Sequence, residues 1–201
     1  MTIHALSIGD IRSLTDGELI VNAVSGRTDG FEELVRRYQR PITSYVFRML
    51  GDYESSLDVT QEVFIKVYNS LSKYSSEYKF STWLYRIAHN AAIDHMRRNS
   101  VVAMSIEAEN ADGTFQFQIE SGRPSPEQDH ERSEWRNEID AVIKCLPPGY
   151  RDLIVLRHSR DLSYDEIAEV TGLPLGTVKN RLFRAREMMR QMFVERGFKG
   201  I

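Results

Sequence analysis

Apolar residues in this chain recur at steps of three and four, and that spacing is the strongest restriction on its fold. It runs through residues 12–98 and 130–197, where it predicts amphipathic helices. Alternation of apolar and polar residues over the length of a strand is suggested only at Thr114–Ile119. The sequence therefore predicts an all-α protein, and its hydrophobic and charged fractions of 41% and 27% are those of an ordinary globular chain.

The segment between the two helical stretches differs from them. From Asn99 to about Glu127 the helical spacing lapses, and glycine and proline residues interrupt the chain. Residues 101–140 carry 3 basic and 10 acidic side chains, whereas the 61 residues that follow carry 11 and 7. Such a segment buries too little apolar area to offset its ordering entropy. We predict two small helical domains joined by a flexible acidic linker, with bounds of 12–98, 99–129 (linker) and 130–197.

The same spacing predicts eight helices. Thr15 or Asp16 can cap the first. Pro41 lies inside the second and predicts a kink or a break there, and Gly51 ends that helix. The first predicted helix starts within Leu14–Glu18 and runs to about Val24. The others are Phe31–Leu50, Asp58–Lys73, Ser81–Arg98, Glu127–Cys145, Tyr150–Ser159, Ser163–Thr171 and Gly176–Arg196.

The last two helices form the most specific pattern in the chain. Ser163 can cap the first of them with Glu166 as its capping-box partner, and Gly172 can end it in a left-handed conformation. A short turn follows before Gly176 opens the second helix. This arrangement predicts a helix-turn-helix.

The second of these helices has two different faces. At about 100° per residue, four apolar side chains fall together and are expected to face the core: Val178, Leu182, Ala185 and Met189. An exposed Phe183 among cations is unusual for a solvated face but fits a major groove, where phenylalanine can pack on a thymine methyl. A solvated helix is the alternative, but Glu187 is the only acid between Thr177 and Arg190. We predict binding to duplex DNA.

Two features of the first half are less specific. The helix from Asp58 is amphipathic, and by itself a solvated outer face is the better interpretation. The apolar arc opposite that face is Val59, Val63, Phe64, Val67, Tyr68 and Leu71. The stretch Lys73–Phe80 interleaves aromatic and basic residues and precedes a helix with a polar, basic side, which suits unstacked single-stranded bases. The alternative, that Phe80 and Trp83 close the domain core, is at least as well supported.

Other classes of function find little support. The five histidines have no metal-binding spacing, and neither a phosphate-binding G-x-x-x-x-G-K nor a nucleophile elbow is present, so we expect no catalytic residue, metal or cofactor. Cys145 is the only cysteine, which excludes an internal disulfide, and we expect it to be a small buried hydrophobe. No apolar run approaches the roughly 18–20 residues of a membrane span, so we expect a cytoplasmic protein without membrane insertion.

Three motifs together resemble the extracytoplasmic-function (ECF, group IV) sigma factors of bacterial RNA polymerase. They are DVTQEVFIKVY at Asp58–Tyr68, FSTWLYRIAHNAAIDHMRR at Phe80–Arg98 and LSYDEIAEVTGLPLGTVKNRLFRARE at Leu162–Glu187. Pro147–His158 resembles the entry to the second DNA-binding domain of that family. Three motifs in the right order and at the right separation are far more specific than one helix-turn-helix.

The resemblance implies an alternative, stress-response sigma factor that binds core RNA polymerase and directs transcription initiation. Its first domain would dock on the clamp coiled coil of the largest subunit, so that the outer face of the helix from Asp58 would contact polymerase instead of solvent. Its second domain would meet the flap of the second subunit. The linker would resemble the segment that threads the RNA exit region, and an anti-sigma factor would be a partner. The implied polymerase contacts are Asp58, Gln61, Glu62 and Asn69.

The resemblance also implies two contacts with promoter DNA. The loop before the fourth predicted helix lacks the family's glycine-aspartate pair, so the identity of the flipped −10 base is not implied. The implied contacts with single-stranded −10 DNA are Lys79, Phe80, Trp83, Arg86, Asn90 and Arg97. Those with the duplex −35 element are Thr177, Lys179, Asn180, Arg181, Phe183, Arg184 and Arg186.

Two other functions remain as alternatives. A helix-turn-helix regulator with an N-terminal sensing or dimerisation domain would bind promoters by itself and would give no transcripts with core polymerase. A polymerase-binding decoy would dock on the enzyme and never melt DNA.

Overall fold

The structure, a computed structural model, describes residues 8–105 and 126–198, and within these ranges every regular element is helical. The all-α prediction is confirmed, while the possible strand at Thr114–Ile119 lies outside the described residues. The α-helices are α1 (Ile8–Ser13), α2 (Asp16–Val24), α3 (Thr28–Leu50), α4 (Tyr53–Ser70), α5 (Phe80–Ser105), α6 (Pro126–Cys145), α7 (Pro148–Arg160), α8 (Tyr164–Thr171) and α9 (Leu175–Glu195), with a 3₁₀ turn at Leu71–Lys73.

The eight predicted helices correspond to α2–α9, with some differences at their ends. Helices α5 and α6 extend into both ends of the predicted linker, so the domain bounds stay a prediction. Helix α1 was not predicted, because six residues are too few for a periodic apolar pattern. Helix α3 begins at Thr28 and continues through Pro41 without a break. A proline removes a single N–H from the helical ladder, and tertiary packing of α3 outweighs that loss.

Local signals set several helix ends. Thr15 caps α2 with a capping box that includes Glu18, and Gly51 ends α3 with a φ of 80°. Gly30 lies inside α3 where a Cβ atom would stand 2.5 Å from the carbonyl oxygen of Leu19. Only glycine therefore allows α2 and α3 to approach this closely.

The helices form two units, each with its own packing. In the N-terminal unit (α1–α5), α2 packs on α3, α3 on α4 and α4 on α5. In the C-terminal unit (α6–α9), α7 and α8 both pack on α9. Side chains without exposed surface fill both units, among them Leu34, Val63, Leu84, Leu153 and Leu182.

A charged cluster ties the first turns of the chain to α3. The buried Glu33 carboxylate accepts hydrogen bonds from Arg36 at 2.6 Å and Arg37 at 2.9 Å. Arg37 also donates to Asp16 at 3.0 Å and to the backbone carbonyl of Leu14 at 2.8 Å. The hydrogen bond from Arg36 is the main reason that the pKa of Glu33 falls to about 2.

The two units contact each other, which the sequence did not predict. Helix α3 packs against α7, and α5 packs against α8, so that one continuous set of buried apolar residues includes both units. Among the helices in the described ranges, none is long and apolar enough to cross a membrane.

Candidate nucleic-acid interface

The helix-turn-helix forms as its sequence predicts. Ser163 and Glu166 complete a capping box at α8, and Gly172 ends that helix with a φ of 69°. Three of the four residues predicted to face the core from α9 are buried: Val178, Leu182 and Ala185. The fourth, Met189, is half-buried against the same core. These contacts fix which side of α9 faces outward.

That outward side is basic and contains an unusually exposed aromatic ring. The Phe183 side chain is 70% exposed, and the four predicted contacts Lys179, Asn180, Arg184 and Arg186 are also exposed. Glu187, the single acid of this stretch, pairs with Arg190 at 2.5 Å, and the hydrogen bond from Arg190 lowers the pKa of its carboxyl. The surface therefore offers one aromatic ring and several cations to an anionic partner.

A groove lies along the first turns of α9. It has a volume of about 440 Å³, opens to solvent, and is lined by Tyr150, Gly176, Thr177, Asn180, Arg181 and Arg184. Thr177 and Arg181 are half-buried in its wall. The Arg186 guanidinium lies outside this lining and donates to the hydroxyl of Tyr164 at 3.3 Å. The seven residues predicted for duplex DNA thus lie on the first four turns of one helix.

The predicted single-strand contacts on α5 are only partly grouped. Arg86, Asn90 and Arg97 are exposed on this helix, and Arg97 pairs with Asp94 at 2.5 Å. Lys79 is exposed at the end of the preceding loop, where its ammonium lies 2.8 Å from the Glu166 carboxylate. That hydrogen bond raises the pKa of Lys79.

The structure corrects the prediction for Phe80. Its side chain is 4% exposed and packs against the rings of Tyr38, Tyr74 and Trp83, at centroid distances of 5.4, 5.8 and 5.8 Å. Phe80 therefore belongs to the domain core, which was the alternative in the sequence analysis, because three neighbouring rings cover it. Trp83 is half-buried at the edge of this cluster.

The aromatic residue that sequence reasoning missed is Tyr78, which is 51% exposed in the loop. Its backbone carbonyl accepts a hydrogen bond from the Tyr74 hydroxyl at 2.6 Å. Tyr78 belongs to the aromatic and basic stretch Lys73–Phe80, which the sequence analysis related to single-stranded bases. The spacing of residues in a loop, however, does not show which ring is exposed.

The outer face of α4 holds the four residues predicted to contact polymerase. Asp58, Gln61 and Asn69 are exposed, and Glu62 is half-buried and pairs with Lys66 at 2.7 Å. At about 100° per residue, exposed apolar side chains lie on the same face as these polar ones. They are Leu57, Ile65 and Tyr68, with exposures of 40%, 55% and 57%.

Tyr68 corrects a further expectation. The sequence places it in the apolar arc that faces the core, whereas its ring is exposed and touches only Phe31 among the described ring contacts, at 5.0 Å. Cys145 is likewise exposed rather than buried, with its sulfur 3.9 Å from Arg196. Among the residues that the structure describes, no cluster of histidine, cysteine and carboxylate side chains could hold a metal ion.

Comparisons with known proteins agree with this arrangement. Residues 34–101 match Sigma-70 region 2 and residues 136–189 match Sigma-70 region 4. The chain is 38% identical over 168 residues to the ECF RNA polymerase sigma factor SigW of Bacillus subtilis, covering 83% of this chain and 90% of SigW. It is 39% identical over 181 residues to the ECF RNA polymerase sigma-E factor of Escherichia coli K12, covering 87% and 92%.

The fold is shared with a solved sigma factor. The RpoE chain of the complex with the anti-sigma factor NepR from Bartonella quintana superposes with a TM-score of 0.67 at 16% identity, covering 81% of this chain and 96% of that one. The chain therefore belongs to the ECF sigma factors of RNA polymerase. It is a sigma factor that directs transcription, and the family is one of transcription factors rather than enzymes.

Proposed function

We propose that this sigma factor binds core RNA polymerase through the outer face of α4 and grips promoter DNA in two places. The α9 face reads the −35 element as duplex, and α5 with the loop before it holds the −10 element as a single strand. The observation that carries the proposal is the basic outer side of α9 with its 70% exposed Phe183, since a merely solvated helix gains nothing from such a ring.

On α9 the residues divide by what each can recognise. Asn180 and Arg184 line the groove and are suited to base edges, and Phe183 is suited to a thymine methyl. Three flanking residues neutralise phosphates and set the register: Lys179, Arg181 and Arg186. Thr177 lies at the start of the helix, where backbone N–H groups can also meet a phosphate.

The single-strand site is built differently. Tyr78 and Trp83 offer ring faces to unstacked bases, and cations along α5 follow the backbone. Extruding a base costs a few kcal/mol of stacking, which a pocket with edge hydrogen bonds must offset. We assign Asn90 to that pocket, and we assign Phe80 to support Trp83 from the core.

The α4 face supports a protein contact because it mixes apolar and polar side chains. Ile65 and Tyr68 would supply buried apolar area against the clamp coiled coil, and Asp58 and Gln61 would supply polar contacts at its margin. The C-terminal unit would meet the flap of the second subunit. We further propose that the chain acts in the cytoplasm as a stress-response factor and that an anti-sigma factor is a partner.

The test is transcription from purified components. The chain is added to sigma-free core polymerase on fragmented genomic DNA, and run-off transcripts are mapped. We expect specific start sites that share a two-part upstream motif. Promoter binding by the chain without any transcripts would support a helix-turn-helix regulator, and competition with other sigma factors without transcripts would support a decoy; either result would overturn the proposal.

A pair of variants separates the two DNA contacts. Asn90→Ala should leave binding to the duplex −35 element intact and impair open-complex formation, measured as permanganate reactivity around the start site. Asn99→Ala is the matched control, because Asn99 is exposed on the same helix half a turn around from Asn90. Normal permanganate reactivity with Asn90→Ala would contradict the assignment.

A further inference from the structure

The loop before α5 is closed by a tyrosine hydroxyl. Tyr74 begins this loop, and its hydroxyl donates to the backbone carbonyl of Tyr78 at 2.6 Å. A second hydrogen bond inside the loop, from the Glu77 N–H to Ser75 Oγ, is longer at 3.4 Å. Residues 74–79 include neither glycine nor proline, so neither a left-handed backbone nor a fixed proline φ sets the path of the loop. The bond from Tyr74 to Tyr78 therefore holds the two ends of the loop together.

The Tyr74 ring is anchored in the N-terminal unit. It is half-buried and packs against Trp83 and Phe80, at centroid distances of 5.3 and 5.8 Å. Phe80 is itself buried and contacts the Tyr38 ring at 5.4 Å. Burial is the main reason that the pKa of the Tyr74 phenol is raised, so the hydroxyl keeps the proton that it donates. A side chain fixed at its ring thus carries the donor that closes the loop.

The residue held by this bond carries the exposed ring of the loop. The Tyr78 carbonyl accepts the proton of Tyr74, while the Tyr78 side chain is 51% exposed. Lys79 follows directly, and its side chain is 76% exposed. A ring and a cation side by side suit a single strand, because a base can stack on the ring while the cation neutralises the backbone. The backbone that Tyr74 holds sets the position of both side chains.

Order in this loop affects how tightly a strand can bind. A segment that already has its bound conformation loses less conformational entropy on binding. If only the closed loop binds DNA, the apparent affinity falls with the fraction of chains in which the loop is closed. One hydrogen bond between neutral groups shifts such an equilibrium by about two- to tenfold.

We propose that Tyr74 is a positioning residue of the single-strand site: its hydroxyl holds the loop in the conformation that presents Tyr78 to an unstacked base. In this role Tyr74 acts through Tyr78 rather than by contacting DNA. The DNA part of the inference rests on the proposed function, whereas the closure of the loop by Tyr74 does not.

Tyr74→Phe tests the bond, because it removes the hydroxyl and retains the packed ring. Loop order is measured in the full chain as the rate of trypsin cleavage after Lys79, followed by mass spectrometry, since a protease acts on the opened loop. We expect cleavage to be about two- to tenfold faster in Tyr74→Phe. The affinity of holoenzyme for a short dye-labelled single-stranded DNA of mixed sequence should fall by a factor in the same range, with core polymerase alone as the baseline.

Two further chains separate positioning from a general effect on the fold. Replacing Tyr74 with 4-aminophenylalanine restores a donor at the same place and should return both values toward those of the unchanged chain. In a Tyr78→Ala background, Tyr74→Phe should still speed cleavage but should have little further effect on affinity, since the ring that it positions is gone.

Tyr53→Phe is the matched control. It removes a hydroxyl from an exposed ring of the same unit, at the start of α4, and should change neither the cleavage rate nor the affinity for the single strand. Duplex −35 DNA should bind to all of these chains equally, because α9 lies in the other unit.

The outcomes are distinguishable from those of the proposed function. Unchanged cleavage in Tyr74→Phe would overturn the proposal whatever the transcription assay shows, and so would faster cleavage with unaltered single-strand affinity. Equal losses of affinity from Tyr74→Phe with and without the Tyr78 ring would contradict the positioning role. An unchanged chain that gives neither transcripts nor single-strand binding above the baseline would refute the proposed function and the DNA role of Tyr74 with it, while the cleavage rates would still decide whether the bond orders the loop.

Discussion

Arg184 and Arg186 lie two residues apart on α9 and differ in surroundings. Arg184 lines the groove beside Thr177 and Asn180, where a base edge can reach it. Arg186 lies outside that lining, on the Tyr164 side of the helix. The helical positions of these two arginines already predict different roles, a base-edge contact for Arg184 and a phosphate contact for Arg186.

Arg184→Ala should cost about 1–3 kcal/mol of binding free energy and relax specificity at a single −35 position, because it removes a base-edge contact. Arg186→Ala should weaken binding evenly across sequences and reduce the salt slope by about one, as expected for a phosphate contact. The measurement is holoenzyme affinity on promoters that each differ at one −35 base pair, at several salt concentrations. Equal losses on every sequence from both variants would contradict the assigned roles.

Glu33 predicts a pH dependence of stability. Its pKa is lowered from 4.5 to about 2 in the folded chain, so the folded state favours the ionised carboxylate. That stabilisation is fully present above pH 4.5 and is lost as the pH falls toward 2. Glu33→Gln should therefore lower the free energy of unfolding at pH 7, and the difference from the unchanged chain should shrink between pH 4.5 and 2.

Urea unfolding followed by circular dichroism at several pH values checks this prediction. Glu32→Gln is the control, because Glu32 is the exposed neighbour on the same helix. A difference between Glu33→Gln and the unchanged chain that stays constant down to pH 2 would show that the ion pairs with Arg36 and Arg37 do not stabilise the fold.

Helices α8 and α9 depend on different properties of two glycines. Gly172 ends α8 with a φ of 69°, a conformation that costs about 1–2 kcal/mol for residues with a Cβ atom. Gly176 lies in the first turn of α9, where its backbone is helical, and no atom lies within 4 Å of the position a Cβ would take.

Gly172→Ala should therefore lower the free energy of unfolding by about 1–2 kcal/mol through backbone strain. Gly176→Ala should raise it by up to about 1 kcal/mol, because alanine loses less conformational entropy in a helix. Chemical denaturation of both variants gives the two values. Unchanged or increased stability of Gly172→Ala would show that the turn does not depend on the left-handed conformation of Gly172.

The part of the molecule that the structure describes contains one continuous set of buried apolar residues, and the buried hydrogen bond from Tyr45 to Asp152 lies within the contact between its two units. Because the two units share this buried set, unfolding of one unit should expose apolar surface of the other. The chain is then expected to behave as a single cooperative system despite its two family regions.

Calorimetry should accordingly show one thermal transition for the unchanged chain and for the control Glu195→Ala, which removes an exposed carboxylate from the C-terminal unit. Asp152→Ala should divide it into two transitions, since loss of the buried contact uncouples the units. Two transitions in the unchanged chain would contradict this expectation, and so would one transition of unchanged midpoint in Asp152→Ala.

Local spacing was enough to predict most helices and the outward side of α9. Helix caps and side-chain faces depend on residues within four positions of each other, as at Ser163 with Glu166 or Val178 with Leu182. The exposure of Phe183 followed in the same way, because the opposite side of α9 was already apolar. These features needed no knowledge of which helices are neighbours.

Packing between helices decided the rest. Whether Phe80 is covered or Tyr68 exposed depends on side chains from other helices, which no local pattern contains. The contact of Tyr45 with Asp152 joins residues 107 positions apart, so periodicity could not reveal it. Burial and long-range pairing are properties of the assembled chain, and they supplied the contact between the two units, the correction to the single-strand site and the mixed surface of α4.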